Sequence, residues 1–106
     1  MSMKTIIESE KRTPVVGEYD VVVAGGGPAG FSAAVTAARE GARVCLVEQC
    51  GGVGGVATSG LMSHWTGNTR GGIYEEILDR SADVPMRQTI HPEKLHGVLL
   101  AMLLEA

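Results

Sequence analysis

The sequence predicts an α/β fold that opens with a parallel strand–helix–strand unit. Two short runs rich in β-branched residues, at 20–25 and 43–48, have the composition of strands buried on both faces of a parallel sheet. An amphipathic segment at 28–40 separates them, and its length suits a crossover helix. A dense glycine cluster joins the first strand to this helix. The unit fills 29 residues, and we expect it to be the opening of a larger parallel-sheet domain.

The predicted helix has recognisable ends and one apolar face. Pro28 suits the first turn, where a backbone N–H would have no helical partner. Gly41 follows the helix, as glycine commonly does at helix carboxyl ends. The apolar face has helical spacing and consists of Phe31, Ala34, Val35 and Ala38.

The glycine cluster at 25–30 contains the pattern Gly-x-Gly-x-x-Gly between the strand and the helix. Gly25 permits a tight turn, Gly27 lets the backbone approach a pyrophosphate, and Gly30 lets the helix lie close to the sheet. The helix amino terminus also offers free N–H groups and a positive dipole end. We therefore predict a Rossmann-like diphosphate site made of Gly25, Gly27, Pro28, Ala29 and Gly30.

Glu48 stands at the end of the second strand, 18 residues after Gly30. A carboxylate at this position can accept hydrogen bonds from the hydroxyls of an adenosine ribose, and it disfavours a 2′-phosphate. Replacing Glu48 with alanine should then weaken cofactor binding by about tenfold to a few hundredfold. It should hardly change the stability of the cofactor-free protein, because an exposed glutamate contributes little to folding.

A second glycine-rich segment, 49–60, has no tandem period and is predicted to be a loop near the adenosine ribose. The run 19–30 resembles the amino-terminal signature of the FAD-dependent oxidoreductases. The stretch 48–61, with its Gly-Gly-x-Ala-Thr segment, resembles the branch that includes the flavin subunits of heterodisulfide reductases and, more distantly, fumarate reductases. This resemblance, which covers about 14–106, implies FAD as the cofactor. The residues that it implies as FAD contacts are Gly25, Gly27, Gly30, Glu48, Gly55 and Thr58.

The resemblance implies the FAD-binding portion of a flavin-dependent oxidoreductase, with residues 1–18 as an amino-terminal arm and 19–106 as the start of the FAD domain. Two alternatives stay open: an electron-transfer flavin module of a multi-subunit complex, and a catalytically silent nucleotide-binding fragment. The second glycine segment disfavours NAD. Members of the family are several times longer, so we expect this chain to be a piece of a longer protein, with most substrate contacts elsewhere.

Two further helices are predicted, at 72–82 and 92–106, with a connector at 82–90 between them. The last helix has a strong apolar stripe made of Leu95, Val98, Leu99, Met102 and Leu103. Two strands alone leave sheet edges and an apolar helix face uncovered. Residues 1–106 by themselves are therefore expected to be unstable or self-associated.

Composition narrows the classes of partner. Nine Lys and Arg residues stand against 12 Asp and Glu, a net charge of −3, so nucleic acid is not an expected partner. No run of apolar residues reaches membrane-spanning length. Two cysteines without metal-ligand spacing favour a reducing, cytoplasmic compartment and no metal site. The expected partners are an unidentified small-molecule substrate and either a redox partner or a second copy of the chain.

Four other residues carry side chains with catalytic or binding chemistry. His64 could act as an acid–base group and Trp65 could stack on a ring, but a loop histidine and a packing tryptophan are the favoured interpretations. Arg70 could bind a substrate carboxylate, but a solvated arginine is the favoured interpretation. Cys50 has no basic neighbour in the sequence that would stabilise a thiolate. The sequence therefore identifies no catalytic residue.

Overall fold

The computed structural model describes residues 1–81 and 88–106, and the α/β prediction is confirmed. Residues 82–87, which include most of the predicted connector, lie outside the described residues. The elements in chain order are β1 (Val21–Ala24), α1 (Pro28–Arg39), β2 (Val44–Val47), a 3₁₀ turn (Gly55–Ala57), α2 (Gly72–Ser81) and α3 (Pro92–Glu105). Within the described residues of the arm, 1–18, no helix or strand forms.

The two strands are parallel and in register from Val21 opposite Val44 to Ala24 opposite Val47. Helix α1 crosses between them and packs against both. The prediction that both strand faces are buried is wrong, because Val22 is 63% exposed and Val47 is 54% exposed. In the described part of the chain the helices cover only one face of the strands, so alternate side chains point into solvent.

The core lies between the three helices. On the predicted face of α1, Phe31, Ala34 and Val35 are buried. Most of the α3 stripe that was expected to be uncovered is buried or half-buried, because α3 packs against both α1 and α2. The carboxyl end of α3 keeps Leu104 79% exposed. The buried cluster consists of Phe31, Val35, Ala57, Ile77, Leu78, Ile90, Leu95, Leu99 and Met102.

A short antiparallel contact joins the segment after the second glycine loop to the segment that leads into α3. His64 pairs with Thr89, and the backbone N–H of Trp65 donates to the carbonyl of Gln88 at 2.7 Å. This contact holds Trp65 beside Tyr74, with ring centroids 5.9 Å apart. It also fixes the entry to α3, which carries much of the core.

Four charged side chains tie the helices together. Arg39 on α1 makes two hydrogen bonds to Glu76 on α2, at 2.6 and 2.8 Å. Arg80 reaches the Glu76 carboxylate at 2.8 Å and the Glu105 carboxylate on α3 at 2.8 Å. The hydrogen bond from Arg39 lowers the pKa of Glu76, since it stabilises the ionised carboxylate. The position of α1 is thus set by α2 and α3 as well as by the strands.

Candidate cofactor site

The turn between β1 and α1 requires glycine at two positions. Gly25 has a φ of +100°, and its N–H donates to the carbonyl of Val47 at 2.7 Å. A Cβ on Gly30 would lie 2.9 Å from the carbonyl carbon of Gly25 and closer still to its oxygen. Helix α1 therefore begins in direct contact with the end of β1, as the spacing of the glycines predicts.

The amino terminus of α1 is open. Gly27 is its N-cap residue, has extended backbone angles, and makes no side-chain cap. No described residue accepts a hydrogen bond from the N–H groups of Gly27, Ala29 or Gly30. A Cβ built on Gly27 would meet no atom within 4 Å. The loop thus presents unpaired donors beside empty space, which is the arrangement that an anionic diphosphate requires.

Glu48 bridges the two glycine segments. Its Oε2 accepts a hydrogen bond from the N–H of Gly26 at 2.7 Å, and its Oε1 accepts one from the N–H of Cys50 at 3.0 Å. These backbone hydrogen bonds, from Cys50 and then Gly26, lower the pKa of Glu48 below its ordinary value of 4.5. The Glu48 carboxylate therefore connects the phosphate loop to the second glycine segment. The small stability change expected for Glu48→Ala stays a prediction.

The second glycine segment packs directly on the first. The N–H of Gly54 donates to the carbonyl of Gly26 at 2.7 Å. Gly55 has a φ of +56°, and a Cβ there would lie 3.1 Å from the Cα of Gly27. The structure places Gly54 and Gly55 against the phosphate loop, and the predicted position near the ribose stays a prediction. A side chain at Gly55 would press on the open position at Gly27.

Thr58 follows the 3₁₀ turn and is 7% exposed. Its hydroxyl donates a hydrogen bond to the carbonyl of Val53 at 2.6 Å, and this bond joins the two ends of the 53–58 segment. The structure therefore gives Thr58 a role in loop geometry. A contact between Thr58 and the cofactor stays a prediction.

The remaining candidates do not form a second chemical centre. The Nδ1 of His64 lies 3.2 Å from the Thr89 hydroxyl and its ring is exposed. Trp65 packs against the core and lines a cavity of about 290 Å³ that reaches Pro28. Arg70 is exposed. Among residues 1–81 and 88–106, no cluster of three metal-ligating side chains occurs.

Sequence reasoning missed His96, a half-buried residue in the second turn of α3. Its imidazole ring occupies the space beside Gly52, where a Cβ would lie 2.9 Å from Cε1 and 3.1 Å from Cδ2. These residues are 44 positions apart, so no local pattern could reveal the contact. Only the packing of α3 brings them together.

Comparison with known proteins agrees with this geometry. The family model described as FAD dependent oxidoreductase matches residues 20–106. This chain belongs to that family. The segment is an FAD-binding portion of a member of this family, and its cofactor is FAD.

Several curated relatives match part of the chain. The chain is 52% identical over 50 residues to the soluble pyridine nucleotide transhydrogenase of Chromohalobacter salexigens, covering 47% of this chain and 10% of the relative. It is 43% identical over 67 residues to the dihydrolipoyl dehydrogenase of Chlorobaculum parvum, covering 63% and 12%. It is 48% identical over 50 residues to a fumarate reductase (cytochrome) of Shewanella frigidimarina, covering 44% and 9%.

The matched segments therefore span about a tenth of the length of these relatives. No solved structure matches the chain significantly. The resemblance to heterodisulfide reductase subunits stays a prediction. Within the described residues, no helix combines the length and apolar character needed to cross a bilayer.

Proposed function

We propose that the loop between β1 and α1 binds the diphosphate of FAD and that Glu48 binds its adenosine ribose. The observation that carries this proposal is the set of unpaired N–H groups at Gly27, Ala29 and Gly30, at the amino terminus of α1, where a Cβ on Gly27 would meet no atom within 4 Å. Each N–H can donate to a phosphate oxygen, and the helix dipole favours the negative charge there.

Gly25, Pro28 and Gly55 shape this site without supplying a side-chain donor. Gly25 takes the positive φ that turns the chain, and Pro28 starts the helix without an N–H of its own. Gly55 supports the Cα of Gly27 from the second loop. We assign Thr58 an indirect part, since its hydroxyl fixes the loop that carries Gly55.

Glu48 can bind the ribose of the cofactor directly and hold the loop that binds its diphosphate. A carboxylate oxygen has two lone pairs, so the oxygen that accepts a hydrogen bond from Gly26 or Cys50 can also accept one from a ribose hydroxyl. The negative charge next to the ribose disfavours a cofactor with an extra phosphate at the 2′ position. Glu48 thus favours FAD over a 2′-phosphorylated dinucleotide while it holds the phosphate loop.

The whole protein is proposed to be a flavin-dependent oxidoreductase of unassigned substrate. FAD, when bound, supplies hydride or electron transfer. The residues of this chain bind and orient it and keep its diphosphate at the helix terminus. Cys45 and Cys50 are unpaired thiols, which supports a cytoplasmic location.

The direct test measures flavin content and FAD affinity of the complete protein after removal and re-addition of FAD. Gly27→Val should abolish stoichiometric flavin absorbance, because its side chain fills the space in front of the unpaired N–H groups. Gly51→Ala is the matched control, since a Cβ there meets no atom within 4 Å. Normal flavin content in Gly27→Val would refute the proposed phosphate site.

A further inference from the structure

We propose that His96 is a positioning residue for the cofactor, acting through the loop that carries Gly52. This inference rests on the proposed function and extends it to a helix outside the strand–helix–strand unit. His96 projects from α3, and its ring lies against Gly52, as the 2.9 Å and 3.1 Å approaches of a hypothetical Cβ to Cε1 and Cδ2 show.

Gly52 belongs to a loop that is held on its other side by the site itself. Two residues earlier, the N–H of Cys50 donates to Oε1 of Glu48 at 3.0 Å. Two residues later, the N–H of Gly54 donates to the carbonyl of Gly26 at 2.7 Å. The loop is therefore fixed at both ends to the phosphate loop and to the proposed ribose ligand, and His96 supports its middle.

Helix α3 is a firm support for this contact. Leu95 and Leu99, on either side of His96, are 0% and 2% exposed and lie in the core. A Cβ on Gly54 would approach the Cδ1 of Leu99 to 3.0 Å, so the same helix also contacts the loop further along. At its carboxyl end, Glu105 is bonded to Arg80 at 2.8 Å. A displacement of the loop towards α3 would have to move a helix that the core holds in place.

The positions of Glu48 and of the Gly26 backbone therefore depend on His96. Neither group can keep both of its hydrogen bonds if the 50–54 segment shifts. Ligand-binding groups lose affinity when the residues behind them are loosened, because their productive geometry is then held only part of the time. His96 touches no proposed cofactor contact directly, so its effect must pass through the loop.

The test is FAD titration of the complete protein with a set of matched variants. Gly52→Ala places a Cβ against the imidazole and should weaken FAD binding by about tenfold. Gly51→Ala, one residue earlier, adds a Cβ to open space and should bind FAD like the wild type. His96→Ala removes the support and should weaken FAD binding by about tenfold. Gly52→Ala combined with His96→Ala should bind no more weakly than His96→Ala alone, because the collision is gone.

A second measurement separates positioning from simple loss of stability. Because part of the effect of His96 passes through Glu48, His96→Ala should weaken FAD binding less in a Glu48→Gln background than in the wild type, whereas independent effects would multiply. Equal losses in both backgrounds, wild-type affinity in His96→Ala, or equal effects of Gly51→Ala and Gly52→Ala would each overturn the proposal. Should His96→Ala unfold the protein, the comparison of Gly52→Ala with Gly51→Ala decides the question with the imidazole still present. A wild-type protein that does not bind FAD would instead refute the proposed function.

Discussion

Gly30→Ala offers the sharpest test of how the cofactor loop is built. The new Cβ would lie 2.9 Å from the carbonyl carbon of Gly25 and nearer still to its oxygen, whereas ordinary van der Waals contact begins at 3.4 Å. The obstacle is backbone, so no side-chain rotation can relieve it. The start of α1 must move away from the end of β1 by about 0.5 Å or more.

This movement has two expected costs. Overpacking a close contact costs about 1–3 kcal/mol of unfolding free energy, and we expect the upper part of that range because β1 cannot repack. The unpaired N–H groups of Ala29 and Gly30 move with the helix. Losing one hydrogen bond to a charged phosphate costs about 1.5–3 kcal/mol, which corresponds to FAD binding weakened by about tenfold to a hundredfold or more.

Denaturant unfolding of the cofactor-free protein and titration with FAD measure the two costs separately. Gly97→Ala is the matched control, because Gly97 lies within α3 and a Cβ there meets no atom within 4 Å. It should leave FAD affinity unchanged and raise stability by about 0.5–1 kcal/mol, as glycine is a poor helix former. If Gly30→Ala has wild-type stability and affinity, then helix α1 does not contact β1 as described.

Three further predictions follow from the same contacts. Glu48→Gln should remove part of the acid sensitivity of the cofactor-free protein. Because the folded-state pKa of Glu48 is lowered, its contribution to stability is present above pH 4.5 and is lost as the pH falls through the folded-state pKa. A series of unfolding midpoints measured at different pH values checks this. Glu76→Gln should lower the thermal midpoint more at low than at high ionic strength, and a salt-independent loss would contradict the role of the charges. Gly27→Ala should leave the unfolding midpoint unchanged but reduce FAD affinity, and calorimetric titration that finds normal affinity would show that phosphate does not approach this position.

The sequence predicts well those features that depend on neighbouring residues. The ends of α1 follow from Pro28 and Gly41, and Gly41 does take a φ of +92°. The face that contains Phe31 and Val35 follows from helical spacing, and both residues are fully buried. Such features are predictable because their causes, backbone sterics and the helical period, act within a few residues.

The roles of side chains are harder to predict from the sequence, because each role depends on contacts with residues that are distant in the chain. Glu48 is marked by its place after β2, yet nothing local shows that its carboxylate binds Gly26, 22 residues away. Thr58 carries a hydroxyl that suits a cofactor contact, but in the folded chain that hydroxyl donates to Val53. The continuous apolar run of β1 suggests burial on both faces, yet Val22 is exposed because helices cover only one of them.

By itself, the sequence determined the strand–helix–strand unit, the glycines of the phosphate loop and the position of the strand-end carboxylate, because these are set by conformational limits and spacing along one stretch of chain. The tertiary structure decided that the two glycine loops pack together, that Glu48 fixes their relative position, and that His96 supports them from α3. Apart from the hydrogen bond between Glu48 and Cys50, these contacts join residues 22 to 44 positions apart. No periodic pattern encodes them, since they arise only when the core of three helices sets the distance between α3 and the loop.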